Sequence, residues 1–362
     1  MSSGPVRNVV TSQPQERGPL FVVSMWRSGS SLLYTLLNKH PQVGLMYEAD
    51  LLLLRSLFLK PSTLCDWVKR WEFWNQALTR HQLREESFSS VSGDFKSVFE
   101  RVHQQFARRK GATIWGDKSP NYYDRLQELA KIFPDARFII LWRNPIATVN
   151  SILRAAQAGN PYFRRMGSSL RGMFGYGIFK RQCDWLRTNN KPVLEISYEE
   201  LTSSPGATMQ QVCQFLAIPY HANLADLAGS DRSAIYDGQH HALVKGDAIV
   251  SGTRPSVVDA SFRAKTDRYV NFWRRRYREA WPPYYQIERS EKKGSSLFER
   301  AVDSLEYRAL RTFDRFTALC FSFAPIWLLH RYRERKYRNK NTAQAPLREP
   351  DQAALHASRK HE

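Results

Sequence analysis

Cysteine is scarce in this sequence. The 362 residues include only Cys65, Cys183, Cys213 and Cys320, which lie far apart and form no CxxC or Cys/His spacing. So few and so widely spaced cysteines argue against both a disulfide-stapled scaffold and a zinc site. We therefore predict no metal site, a reducing compartment and a cytoplasmic location.

Long hydrophobic runs are also missing. The most apolar stretch, residues 318–329, contains Pro325 and is shorter than a bilayer-spanning helix requires. Residues 1–18 are polar and lack the apolar core of a secretory signal. We predict a flexible leader at 1–18 and no transmembrane helix.

Acidic residues are outnumbered by basic ones. The chain has 34 Asp and Glu against 54 Lys and Arg, which gives a formal net charge of +20. Such a charge favours nucleotides, nucleic acid, acidic glycans or an anionic membrane as partners, and it does not choose among them. The length and the 42% hydrophobic content are sufficient for an enzyme-sized core in one main domain.

Strand-like and helix-like patterns alternate along the main domain. Short apolar runs predict strands at 19–25, 112–115, 137–142 and 192–196. Apolar residues at helical spacing follow the first run, and Pro145 opens a helix after the third. The alternation predicts an α/β domain with a mostly parallel central sheet and helices on both faces.

Two stretches do not resemble sheet scaffold. Residues 51–110 are helical in pattern and rich in aromatic side chains, and residues 154–177 carry five glycines and four arginines. Both are interpreted as insertions, which either cover a ligand crevice or form a satellite helical core and a surface loop.

The region after the main domain, which we place at 19–290, has a different composition. Residues 291–341 are predicted to form an amphipathic, basic helical extension, and residues 342–362 a disordered tail. An aromatic and basic helix of this kind lies on an anionic membrane surface in some proteins and packs on its own domain in others.

The turn RSGSS joins the first predicted strand to its helix. Backbone N–H groups and the helix dipole at such a turn attract phosphate, and Gly29 lets the backbone approach closely. Ser28, Ser30 and Ser31 add hydroxyl groups, and Arg27 adds a positive charge. The Walker pattern and its lysine are absent, which disfavours a kinase. A turn that only caps its helix is the alternative interpretation.

A second anion site is predicted in LWRNPIATVNS, residues 141–151. Arg143 stands at a strand end, and Thr148 and Ser151 are three residues apart on one face of the next helix. Two such sites at neighbouring strand ends suit a ligand that carries phosphate at both ends, such as a dinucleotide or a 3′,5′-bisphosphorylated nucleoside.

These two segments resemble the phosphate-binding signatures of sulfotransferases. That family uses 3′-phosphoadenosine 5′-phosphosulfate (PAPS) as its donor. Similar segments are NKHPQV at 38–43, WGDKSPNY at 115–122 and ISYEELTSSP at 196–205, so the resemblance covers most of residues 19–220. It implies a P-loop-NTPase-like, three-layer α/β/α fold, and the tyrosylprotein and bacterial branches share the pattern best.

The resemblance also implies roles for individual residues. The turn from Arg27 to Ser31 would bind the 5′-phosphosulfate, and Arg143 with Ser151 would bind the 3′-phosphate. Glu48, after the HP element, stands where those branches have an acidic general base. Lys118 and Arg27 would stabilise the transferred group.

The resemblance extends to two further segments. Tyr198 is expected to contact the nucleoside, and the loop with Lys245, Gly246 and Arg254 resembles the segment that closes over the cofactor. No metal is required for this chemistry.

The acceptor and two rival functions stay open. We expect a hydroxyl on a saccharide, glycolipid or other lipid, with protein as an alternative, and no nucleic-acid partner. An ATP-dependent phosphotransferase is one rival. A basic membrane-surface or nucleic-acid-binding protein with a vestigial nucleotide loop is the other, supported by the arginines and aromatic residues at 272–278.

Overall fold

The computed structural model describes most of the predicted main domain. The described residues are 18–53, 55, 77–83, 94–157, 160, 163, 168–235, 244, 246, 248–250 and scattered positions between 301 and 331. Side chains at 146, 157 and 168–174 are not described.

A five-stranded sheet organises these residues. Its strands are β1 Leu20–Ser24, β2 Val43–Tyr47, β3 Ile114–Lys118, β4 Arg137–Trp142 and β5 Val193–Ser197. Their order is β2-β3-β1-β4-β5, and all four pairings are parallel. The predicted α/β class and parallel sheet are confirmed.

Helices connect the strands. They are α1 Ser30–Leu37, α2 Ala77–Arg80, α3 Phe95–Arg109, α4 Leu126–Ile132, α5 Pro145–Gln157, α6 Ser168–Thr188, α7 Tyr198–Ser203 and α8 Pro205–Leu216. Short 3-10 helices span Pro120–Tyr122 and Ala222–Ala225.

Each face of the sheet has its own apolar core. Phe21 of β1 belongs to one core with Phe99 of α3, whereas its neighbour Val22 belongs to a second core with Leu33 of α1 and Val212 of α8. Successive strand side chains point to opposite faces, so the alternation along β1 feeds both cores. The result is the predicted three-layer α/β/α arrangement.

The structure corrects three parts of the sequence interpretation. β2 was not predicted, and β3 begins and ends later than the predicted strand at 112–115. Residues 95–109, predicted as part of an insertion, form α3. This helix belongs to one helical layer of the domain, because it buries Phe99 and Val102 in the first core. Residues 168–177 are the first half of α6 and not a loop.

The chain divides into two compact units, residues 1–312 and 313–362. In the second unit, the described residues Phe313, Phe316 and Trp327 are helical and exposed. None of the described helices is both long and apolar enough to cross a membrane.

Candidate active site

The predicted site residues gather at one edge of the sheet. Arg27, Glu48, Arg143 and Tyr198 follow the carboxyl ends of β1, β2, β4 and β5, and Lys118 is the last residue of β3. In an open parallel sheet this edge is where ligands bind.

The turn after β1 has the backbone of an anion cradle. Arg27 and Gly29 both adopt left-handed conformations, with φ of 64° and 94°. Conformations of this kind turn successive N–H groups toward one side, and α1 begins immediately afterwards at Ser30. The first N–H groups of a helix have no partners within it and can bind an anion, although in α1 the Leu32 N–H already donates to the Gly29 carbonyl at 2.9 Å.

The two arginine segments meet directly. The Arg143 Nη1 group donates to the Arg27 carbonyl at 2.8 Å, and Arg27 Nε donates to Ser151 Oγ at 3.3 Å. Burial lowers the pKa of Arg27 to about 10, with a smaller contribution from the nearby Arg143, so the Arg27 guanidinium carries its charge at neutral pH. The crevice therefore concentrates two positive charges between β1 and β4.

Tyr198 supports this arrangement from β5. The Arg143 guanidinium carbon lies 4.1 Å from the centroid of the Tyr198 ring. A side chain at Gly29 would collide with the same ring, because its Cβ would lie 2.2 Å from Tyr198 Cδ2. The structure thus packs Tyr198 against both anion segments.

The predicted base and lysine form an ion pair. Lys118 Nζ lies 2.6 Å from Glu48 Oε1, and it also donates to Ser31 Oγ at 3.4 Å. Lys118 is fully buried and sits 3.7 Å from the centre of the Tyr47 ring. Burial lowers the pKa of Lys118, and the Glu48 carboxylate opposes that decrease. Ser31 thereby connects the ion pair to the phosphate turn.

The loop that carries Glu48 is held in a strained conformation. Glu48 and Asp50 both have left-handed backbones, with φ of 48° and 54°. The Asp117 carboxylate accepts from the backbone N–H of Ala49 at 3.2 Å and of Asp50 at 3.3 Å, and the Glu48 N–H donates to the Lys118 carbonyl at 2.8 Å. Strained residues of this kind persist where their surroundings fix them, and they cluster at active sites.

Two hydroxyl groups expected at the ligand point into the protein. Ser28 is fully buried and its Oγ lies 3.3 Å from the Tyr176 hydroxyl, while Thr148 Oγ1 lies 2.8 Å from the same hydroxyl. Ser28 therefore contributes structure to the turn through its side chain. Its N–H donates to the Met25 carbonyl at 3.2 Å.

Of the three residues named in the predicted closing loop, the structure describes one. Gly246 is described and exposed. Lys245 and Arg254 lie outside the described residues, as do residues 272–278 on which the nucleic-acid-binding alternative rests.

The sequence interpretation missed several residues that build the site. Asp117 anchors the Glu48 loop, and Arg80 donates to the carbonyls of Tyr47 at 3.0 Å and Glu48 at 3.2 Å. The segment YEAD already placed an aromatic and two carboxylates together, and DKSP placed Asp117 beside the lysine. Nothing in the sequence pattern connects Arg80 to the site.

Comparison with known proteins agrees with this geometry. Residues 19–222 match the model of a sulfotransferase family. Protein-tyrosine sulfotransferase A of Caenorhabditis elegans is 26% identical over 205 residues, 56% of this chain and 50% of that protein. Protein-tyrosine sulfotransferase 1 of Danio rerio is 25% identical over 206 residues, 56% of this chain and 54% of that protein. The chain thus spans about half the length of these two relatives.

A solved structure shares the fold. The sulfotransferase domain from the curacin biosynthetic pathway superposes with a TM-score of 0.51 and 18% identity, covering 74% of this chain and 99% of that domain. The family model covers more than half of the chain, and its matched segment contains the anion turn, the ion pair and both arginines. The chain belongs to the sulfotransferase family.

Proposed function

We propose that this protein transfers the sulfuryl group of PAPS to the hydroxyl group of an acceptor. The observation that carries the proposal is the convergence of two arginine segments beside a carboxylate. Arg143 contacts the Arg27 carbonyl at 2.8 Å, and Ser31 lies between the turn and the Glu48–Lys118 pair.

The residues fit a nucleotide with phosphate groups at two positions. The β1 turn supplies backbone N–H groups and Arg27, and the β4 end supplies Arg143 and Ser151. Guanidinium groups bind phosphate oxygens in pairs, and two of them in one crevice favour a ligand with more than one phosphate. We assign the turn to the 5′ end of the nucleotide and Arg143 with Ser151 to the 3′-phosphate.

Glu48 acts as the general base in this proposal. It accepts the proton of the acceptor hydroxyl while the acceptor oxygen forms a bond to sulfur, and the bond between sulfur and the 5′-phosphate oxygen breaks. Adenosine 3′,5′-bisphosphate leaves with that bonding pair. A positioned general base contributes about 10² to 10⁴-fold to such a step.

Lys118 and Arg27 supply positive charge where negative charge develops. Lys118 is buried and Arg27 is half-buried, and charge stabilisation is stronger in such surroundings than in water. Lys118 reaches Glu48 and Ser31 from one position, so its ammonium group can serve the base and the transferring group together.

The acceptor carries a hydroxyl group, and we favour a saccharide, glycolipid or other lipid. Aromatic side chains stack on sugar faces, and a chain with a net charge of +20 suits an acidic acceptor. The two animal relatives are protein-tyrosine sulfotransferases by name. Incubation with labelled PAPS and separate lipid, glycan and tyrosine-peptide fractions identifies the class, and label confined to the peptides would overturn our preference.

Calorimetry with adenosine 3′,5′-bisphosphate tests the proposed donor. We expect micromolar binding that Arg143→Ala abolishes, and a loss on Ser151→Ala that is larger for the bisphosphate than for AMP. Equal losses for both nucleotides would remove Ser151 from the 3′-phosphate. Preference for ATP would support the phosphotransferase alternative, and no nucleotide binding would support the basic binding protein.

A further inference from the structure

A line of hydrogen bonds joins the turn after β1 to the loop that carries Glu48. None of the side chains in this line is a proposed nucleotide-binding or catalytic group. The Trp26 indole Nε1 donates to Asn121 Oδ1 at 2.9 Å, and Asn121 Nδ2 donates to Asp50 Oδ2 at 2.7 Å. Trp26 precedes Arg27, and Asp50 follows Glu48 by two residues. The line therefore runs from the turn after β1, through the 3-10 helix after β3, to the loop after β2.

The direction of each bond in this line is fixed by chemistry. An indole N–H only donates, so Asn121 must turn its oxygen to Trp26 and its amino group to Asp50. Asp50 must then accept, which a carboxylate does at both oxygens. Its other oxygen is bonded by the Ser119 hydroxyl, whose oxygen in turn accepts the Asn121 backbone N–H at 3.1 Å.

The surroundings hold both ends of the line. Asp50 is buried, its backbone is left-handed, and its N–H donates to Asp117. At the other end, the Trp26 ring packs edge-to-face on Tyr123 with centroids 5.9 Å apart and also contacts the cluster of Ile152 on α5. That helix carries Ser151, so movement of Trp26 is coupled to both anion segments.

We propose that Trp26, Asn121 and Asp50 form a positioning chain that keeps the phosphate turn in register with the Glu48 loop. The hydrogen bonds require the donor-only indole at one end and one amide paired with one carboxylate at positions 121 and 50, and none of the three residues needs to contact substrate. This inference rests on the proposed function, because the turn is taken as the nucleotide site.

An exchange of two residues tests the chain directly. Asp50→Asn keeps an amide oxygen that accepts from the Asn121 amino group, so it preserves the line and leaves its own amino group facing the Ser119 oxygen. Asn121→Asp places two carboxylates side by side. The double variant restores every donor and acceptor, because the carboxylate introduced at position 121 accepts both from Trp26 and from the amide introduced at position 50.

The measurement is calorimetric affinity for adenosine 3′,5′-bisphosphate at about pH 8.5, where Asp50 is ionised. We expect Asn121→Asp to bind about tenfold more weakly. Asp50→Asn and the double variant should both bind within about threefold of the original protein. Trp26→Phe removes the indole donor, keeps an aromatic ring beside Tyr123 and should weaken binding in the same direction. Asp94→Asn, an exposed change at the start of α3, should leave affinity unchanged.

Two results would overturn the proposal: an Asn121→Asp variant that melts earlier but binds the nucleotide with original affinity, or a double variant that binds as weakly as Asn121→Asp. If the original protein binds no adenosine 3′,5′-bisphosphate, the proposed donor is wrong, and the hydrogen bonds are then tested by melting temperature. A double variant more stable than Asn121→Asp supports them, and one no more stable than Asn121→Asp contradicts them. Trp26→Phe provides the affinity test if Asn121→Asp does not fold.

Discussion

At the scale of single residues, Glu48 combines a strained backbone with a buried lysine partner. Its carboxylate lies 2.6 Å from Lys118 Nζ, which fixes the direction of the side chain. Glu48→Gln keeps the size of the side chain and removes its capacity to accept a proton. We expect sulfuryl transfer to the acceptor found in the fraction assay to fall by about 10² to 10⁴-fold, with bisphosphate affinity within about twofold.

The matched control is Glu200→Gln, an exposed glutamate on α7. It should leave the transfer rate unchanged. Transfer by Glu48→Gln within about tenfold of the original rate would mean that Glu48 is not the base.

Asp50 gives a prediction about pH and stability. Burial raises the pKa of Asp50 from the usual 3.8 to about 7, and the nearby Glu48 and Asp117 carboxylates add to the increase. Between these two values the folded protein binds a proton that the unfolded chain has released, so this group makes the fold less stable as pH rises. Asp50→Asn removes this decrease in stability with pH, because an amide does not titrate.

The melting temperature of Asp50→Asn, relative to the original protein, should therefore increase between about pH 5 and 8, whatever its value at the lower pH. Asp94→Asn, at an exposed position with a lowered pKa, should show a constant difference over the same range. Parallel curves for Asp50→Asn would show that Asp50 does not titrate there.

The residues of the site were predicted from sequence to the extent that they lie in short local patterns. Arg27 and Arg143 follow predicted strands, which a parallel sheet brings together, whereas Glu48 and Lys118 were predicted from the resemblance to sulfotransferases, because β2 and the end of β3 were not predicted. Arg80 was not predictable, because it reaches the Glu48 carbonyl from a helix far along the chain. Such long-range contacts are set by packing and leave no signal in the sequence.

At the scale of elements, the turn between β1 and α1 depends on one glycine. Gly29 has a φ of 94°, and an added Cβ would lie 2.2 Å from the Tyr198 ring. Gly29→Ala should therefore both lower the melting temperature and weaken bisphosphate binding, because the ring and Arg143 must shift.

Gly111 offers a matched control with a similar backbone. Its φ is 69°, and nothing lies within 4 Å of an added Cβ. Gly111→Ala should cost only the backbone strain, about 1 to 2 kcal/mol, and leave nucleotide affinity unchanged. Equal effects of the two substitutions would show that contact with Tyr198 does not matter to the turn.

The elements that sequence analysis misassigned have physical explanations. β2 is short and contains Gly44, so its pattern VGLMY was weaker than that of β4. The first half of α6 contains Gly172, Gly175 and Gly177, which disfavour a helix by intrinsic propensity. Packing explains why a glycine stands at position 175 of this helix, because an added Cβ would lie 2.4 Å from Met25 Cε.

At the scale of the whole molecule, the C-terminal unit presents apolar side chains next to a basic sequence. Phe313, Phe316 and Trp327 are 58%, 62% and 62% exposed, and residues 331–340 contain six basic residues. We propose that this segment binds anionic membrane surfaces, since apolar and basic groups together favour them.

Sedimentation of the full chain with phosphatidylserine vesicles tests this proposal. We expect binding that replacement of Phe313, Phe316 and Trp327 by serine removes, and that salt weakens. Tyr220→Ser, at an exposed aromatic residue of the first unit, is the control and should bind like the original protein. Equal sedimentation of all three proteins would reject membrane contact through this segment.

The strand order places the proposed site residues on two sides of β1. Glu48 and Lys118 stand on the β2–β3 side of β1, whereas Arg143 and Tyr198 stand on the β4–β5 side. Under the proposed roles, chemistry at the acceptor and retention of the donor are governed by separate halves of the molecule. With this division, substitutions on the β2–β3 side can change the acceptor during evolution, while the β4–β5 side keeps its affinity for the same sulfate donor.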